Sequence, residues 1–151
     1  MLADLRHLAR AAAYYLSGRA VYALSTFNEL HSISIESPDV TLSEARDVAA
    51  HALADFLGGG EGRRLAESTL VSVLVGLQAI DKAGANIQGW DAIAHSLKSQ
   101  PSLFRLRAEA SRFCSNHWNQ IVRLTNAVLE LRTVSTGQLA WLCDSRQRAA
   151  A

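Results

Sequence analysis

The sequence predicts an all-α domain, a bundle of about six helices with at most one short edge strand or hairpin. Three observations lead there. Apolar residues recur at three- and four-residue steps along most of the 151 residues. Capping and chain-breaking residues fall between those stretches rather than inside them. Only one short segment, "HSISI" at residues 31–35, alternates polar and apolar side chains as a strand would.

The elements follow in order. Across residues 2–27, Leu5, Ala9, Ala12, Leu16, Ala20, Ala23 and Phe27 form the core-facing stripe of an amphipathic helix. The alternating segment reads as an edge strand ended by Pro38. Thr41 and Glu44 make a capping box for a second helix over about 42–57, which "GGG" at 58–60 terminates. A third helix, 63–82, is apolar enough at Leu65, Leu70, Val73, Leu74 and Leu77 to be central. After a loop at 84–89 comes a short fourth helix, 90–98. Pro101 opens a long fifth element, 102–131, with a break near residues 115–116. Ser135 and Gln138 form another capping box, for a last helix carrying Leu139, Trp141 and Leu142.

Composition sets limits on function. With 49% hydrophobic and 19% charged residues the chain reads as one globular domain, 1–151. A net charge of +1 gives no general attraction to nucleic acid. Cys114 and Cys143 share no zinc-binding or disulfide spacing, which suits reduced thiols in a cytoplasmic protein. The longest nearly apolar run, 70–80, is too short for a membrane span, so no membrane insertion is expected. Asp4, Arg6, His7 and Arg10 break up what a signal peptide would keep apolar.

Within the first helix, "YLSGRAV" at residues 15–21 sets Tyr15 and Arg19 one turn apart around Ser17 and Gly18. The stretch resembles, in register, the zinc-binding H-E-A-G-H-A helix of the FtsH-type membrane AAA proteases. Tyr15 stands at the first histidine, Leu16 at the glutamate and Arg19 at the second histidine. Further segments keep the family's order: "SISI" resembles its short strand, and "LVGLQAI" at 74–80 its Leu-Ala-Gly helix. "GWDAIAHSL" at 89–97 resembles the segment of the third zinc ligand and retains Asp91. "HWNQIVRLTNAVLELRTVSTGQL" at 117–139 resembles the C-terminal pattern. The resemblance spans about residues 11–142 and implies the fold of that peptidase domain. It departs from the family at the chemistry.

A catalytic zinc takes about three protein ligands and an open position for water. Asp91 alone cannot hold the ion, and neither Tyr15 nor Leu16 can act as a carboxylate base. The resemblance therefore implies a pseudo-peptidase without a cofactor, which acts as a protein-interaction or regulatory scaffold. Because Arg19 lies at the margin of the buried face, two arrangements stay open: it pairs with Asp91, its cation replacing the metal, with Tyr15 hydrogen-bonded nearby, or it snorkels from the helix edge into solvent. Peptidase grooves bind extended chains by strand addition, so Ile33 and Ile35 mark the expected capture edge for a protein or peptide partner.

Two other readings stay open. In the first, His51 and Asp55 on the second helix, with Asp91 and His95 on the fourth, converge as a relocated metal site of a hydrolase, with zinc as its cofactor. The simpler reading of His51 and Asp55 is a solvated acidic face shared with Glu44 and Asp47. In the second, the chain is a subunit of a larger assembly or a homo-oligomer, which an exposed apolar third helix would favour. "GGGEGRR" at 58–64 lacks the ending of a phosphate loop and reads as a helix stop.

Overall fold

The computed structural model describes residues 2–27, 33–35, 37–135 and 138. Among them are six helices and one two-stranded sheet, an all-α bundle in architecture. In order these are α1 (Leu2–Phe27), β1 (Ile33–Ser34), α2 (Pro38–Gly58), α3 (Arg63–Lys82), α4 (Gln88–Lys98), α5 (Phe104–Asn116), α6 (Trp118–Leu131) and β2 (Thr133–Val134). A single 3₁₀ turn, Pro101–Leu103, leads into α5.

α3 is the centre of the bundle, packed against α1, α2 and α5. Every residue from Leu70 through Leu77 is buried, so the middle of this helix is nearly all apolar because it has no solvent face there. Each fully buried Leu, Ile or Val contributes about 1.5–3 kcal/mol. The exposed large apolar side chains are spread over five helices: Leu5 and Phe27, Val40 and Leu57, Leu65 in the first turn of α3, Phe104, and Leu131, so Leu65, expected among the apolar residues that make α3 central, faces solvent. The exposure that would have favoured an assembly through the third helix is therefore absent from residues 70–77.

One boundary differs from expectation, and the break expected near 115–116 is present. α2 begins one turn before the Thr41–Glu44 box. Ser37 is its N-cap, with its hydroxyl accepting from the Val40 N–H at 3.4 Å, and Pro38 occupies the first turn, where its missing N–H costs nothing. Thr41 sits inside the helix and donates to the Ser37 carbonyl at 3.3 Å. The long fifth element is two helices, broken at His117, where the backbone N–H and ring Nδ1 both meet the Phe113 carbonyl at 3.0 Å. Ser135 and Gln138 do form the reciprocal capping box, at 2.9 and 3.3 Å. The last helix it was expected to start, with Trp141 and Cys143, lies outside the described residues.

The sheet is not a local hairpin. β1 pairs antiparallel with β2 from the far end of the chain, Ile33 opposite Val134 and Ser34 opposite Thr133, whose hydroxyls meet at 3.1 Å. Ile35 N–H donates to the Arg132 carbonyl at 2.9 Å. The sheet thereby ties the segment after α1 to the end of α6.

No helix of the described residues is long and apolar enough to cross a membrane.

Candidate functional site

α1 and α3 run in opposite directions and cross where both carry glycine. A Cβ on Gly18 would stand 3.1 Å from the Gly76 Cα and from the Val75 carbonyl oxygen, so the two backbones touch. One turn along, Arg19 Nε donates to Ser72 Oγ at 3.0 Å, and Ser72 lies one turn before Gly76. At the other end of the crossing the Arg10 guanidinium donates to the Ala83 carbonyl at 3.0 Å. An i, i+4 pair on α1, Tyr15 and Arg19, thus faces an i, i+4 pair on α3, Gly76 and Ser72.

Tyr15 closes this crossing. It is 2% exposed, and its ring packs against Trp90 of α4, 1% exposed, with centroids 4.7 Å apart and planes tilted by 40°. The Arg19 guanidinium carbon sits 5.7 Å from the Tyr15 ring centroid, a cation–π contact. Burial pushes the Tyr15 phenol above the usual tyrosine range, the nearby Arg19 charge acts against that rise, and Glu44 adds to it. Neither the Tyr15 hydroxyl nor the fully buried Ser17 hydroxyl meets a partner in hydrogen-bonding geometry.

Three segments singled out from the sequence, 15–21, 74–80 and 89–97, therefore meet in one place. Tyr15 and Arg19 are at this meeting point as expected, but their partners are not the expected ones. The Arg19–Asp91 pair is not formed: Arg19 is bound to Ser72, and Asp91 is exposed, accepting from Asn86 Nδ2 at 3.2 Å. Trp90 takes the inward position of α4, and its neighbour is turned about 100° away around the helix, into solvent. The expected hydrogen bond from Tyr15 is likewise absent. Leu16 is half-buried against the core. Ser72, Gly76 and Trp90 were not identified as site residues from sequence. Their signals were a serine and a glycine one turn apart in an otherwise apolar helix, and a tryptophan leading the next.

The residues present do not fit a catalytic zinc. Tyr15, Leu16 and Arg19 offer an aromatic ring, an aliphatic chain and a fixed positive charge where two histidines and a base would be needed. The relocated metal site is not assembled either. α2 turns Asp47, His51 and Asp55 into a groove shared with Leu65 and Thr69 of α3. Ala49 and Leu53 of α2 instead line a separate cavity with Ile93 and Leu97 of α4. His51 and His95 are both exposed, and His51 Nδ1 meets the Asp47 carbonyl at 2.9 Å. Among the described residues no three His, Cys, Asp or Glu side chains converge.

The expected capture edge changes character. Ile33 and Ile35 are 6% and 2% exposed and belong to the core. Because Ile35 N–H points at Arg132, alternation along an antiparallel strand turns the Ser34 N–H and carbonyl to the opposite, unpaired side of β1. The edge that remains is the backbone of Ser34, not the isoleucine side chains.

Comparison with protein-family models, with curated proteins and with solved structures finds no match for the chain.

Proposed function

We propose that this chain is a non-hydrolytic, peptidase-like scaffold that binds an extended segment of a partner protein along the outer edge of β1. The observation that carries the reading is the Tyr15–Trp90 contact over the Gly18–Gly76 crossing. It brings together the segments that resemble the FtsH-type peptidase domain while filling their meeting point with aromatic and cationic groups. Such an arrangement is suited to holding a shape and unsuited to activating water. The exposed Ser34 backbone supplies the row of unpaired groups that strand addition uses.

The test uses fluorescein-labelled casein as an unfolded probe, with binding followed by anisotropy and integrity by gel, with and without added zinc. The native chain is expected to bind casein and leave it intact. Ser34→Pro removes the outward N–H without touching the Ile35–Arg132 bond, and is expected to weaken binding at least about tenfold with the helical circular dichroism unchanged. Ile35→Pro, which breaks the inward bond, serves as the control for loss of the sheet itself. Unchanged binding in Ser34→Pro would remove the capture edge, and zinc-dependent cleavage of casein would remove the scaffold reading altogether.

A further inference from the structure

An open groove of about 580 Å³ lies where the first turns of α1 meet the start of α2 and the end of α6. Its apolar lining comes from Leu5, Ala9, Pro38 and Leu129. The other lining residues are all arginines: Arg6, Arg10 and Arg132. Among the described residues no carboxylate lines the groove, and Asp39, next in sequence to Pro38, is exposed and outside the lining. In a chain whose net charge is only +1, three guanidiniums around one apolar concavity are a local concentration of charge.

The Arg10 guanidinium and the Arg132 backbone are held in position. Arg10 donates to the Ala83 carbonyl at 3.0 Å and lies 5.4 Å over the Tyr14 ring, which itself stacks on Trp118. Arg132 has its backbone held at φ 67° by the C-terminus of α6, where its N–H meets the Val128 carbonyl at 2.8 Å, and by the bond from Ile35. It is the one non-glycine residue with positive φ among the described residues, at a position where glycine or asparagine would be the ordinary choice.

We propose that this groove binds an acidic peptide segment carrying at least one large apolar side chain, the side chain on the Leu5–Ala9–Leu129 floor and its carboxylates on the arginines. Guanidinium forks match carboxylates in a bidentate manner, and an apolar floor excludes water from around them. Three separate cations suit a ligand with several carboxylates, which a peptide supplies and a fatty acid, with one, does not. The site is distinct from the Ser34 edge and stands whether or not that edge binds a strand.

The test is anisotropy titration of the full chain with three fluorescein-labelled probes: the peptide Asp-Leu-Glu-Phe-Asp-Leu, its counterpart with lysine at each acidic position, and decanoate. Arg6→Ala and Arg132→Gly are the variants. Both side chains are exposed, and glycine suits the backbone at Arg132, so loss of binding there cannot be ascribed to misfolding. The acidic peptide is expected to bind, each variant to weaken it at least about fivefold, and added salt to weaken it further. Equal affinity for the lysine peptide, or an affinity that neither variant changes, would overturn the proposal. So would binding of decanoate without binding of the peptide, which would make the groove a site for single-chain carboxylates.

Discussion

Gly76 sits so close to Tyr15 that a Cβ placed on it would lie 2.7 Å from the Tyr15 Cδ1 and 2.8 Å from the Tyr15 carbonyl oxygen. A backbone atom cannot step aside as a flexible side chain can. Gly76→Ala is therefore expected to force α1 and α3 apart, an overpacking cost of about 1–3 kcal/mol that outweighs the roughly 1 kcal/mol alanine gains over glycine in a helix. Gly18→Ala, with contacts of 3.1 Å, should cost less. Urea denaturation of both variants checks the order, and equal stability would mean that the helices do not touch here.

Ser17 is fully buried and its hydroxyl has no partner. Ser17→Ala removes a desolvated polar group and improves helix propensity, so it is expected to stabilise the chain by about 0.5–1.5 kcal/mol. A loss of stability on substitution would show that the hydroxyl is bonded in solution.

Arg132 holds a positive φ that an L side chain adopts at a cost of about 1–3 kcal/mol. Arg132→Gly should relieve part of it and raise the denaturation midpoint even as it removes a charge from the arginine groove. Lower stability in that variant would place more weight on the side chain than on the backbone.

Burial pushes the Cys114 thiol up to about 11 from 9.0, with Lys82 acting in the opposite direction. The unfolded chain releases this proton first, so stability is untouched below about pH 9 and falls as pH rises towards 11, by about 2–3 kcal/mol in all. Tyr15 and Tyr22, raised chiefly by burial, add to the decline at pH above 10. Cys114→Ala should show a shallower fall between pH 9 and 11 when unfolding is measured at each pH. An unchanged slope would remove Cys114 as its source.

Zinc offers a direct check of the site chemistry. Any ion bound by the native state raises the melting temperature in proportion to the logarithm of its concentration over its Kd. With Arg19 on Ser72 and Asp91 in solvent, 100 μM zinc is expected to leave the melting temperature unchanged. A stoichiometric rise would reinstate a metal-dependent hydrolase.

Much of the architecture was written into local pattern. The glycine stop after α2, the nearly apolar stretch of α3 and the Ser135–Gln138 box all follow from spacing and capping, because these depend on neighbours within a few residues; the stripe expected on α1 does not, since Leu5 and Phe27 are exposed and Tyr15, Val21 and Tyr22 are buried instead. The start of α2 was misplaced when two capping signals competed and the Ser37–Pro38 pair prevailed. Pairing was not legible in this way. The partner of "SISI" comes from the other end of the domain, and register between distant strands leaves no mark in either segment.

The site divides along the same line. By itself the sequence determined that 15–21, 74–80 and 89–97 carry unusual residues, and that 15–21 lacks the histidines of a zinc-binding helix. Only the tertiary structure decided that Arg19 reaches Ser72 instead of Asp91, that Trp90 covers Tyr15, and that Ile33 and Ile35 are core. The reason is geometric: helix periodicity says which residues share a face, but a single step of about 100° around α4 separates a buried tryptophan from a solvated aspartate. Which of the two turns inward is settled by what packs against it.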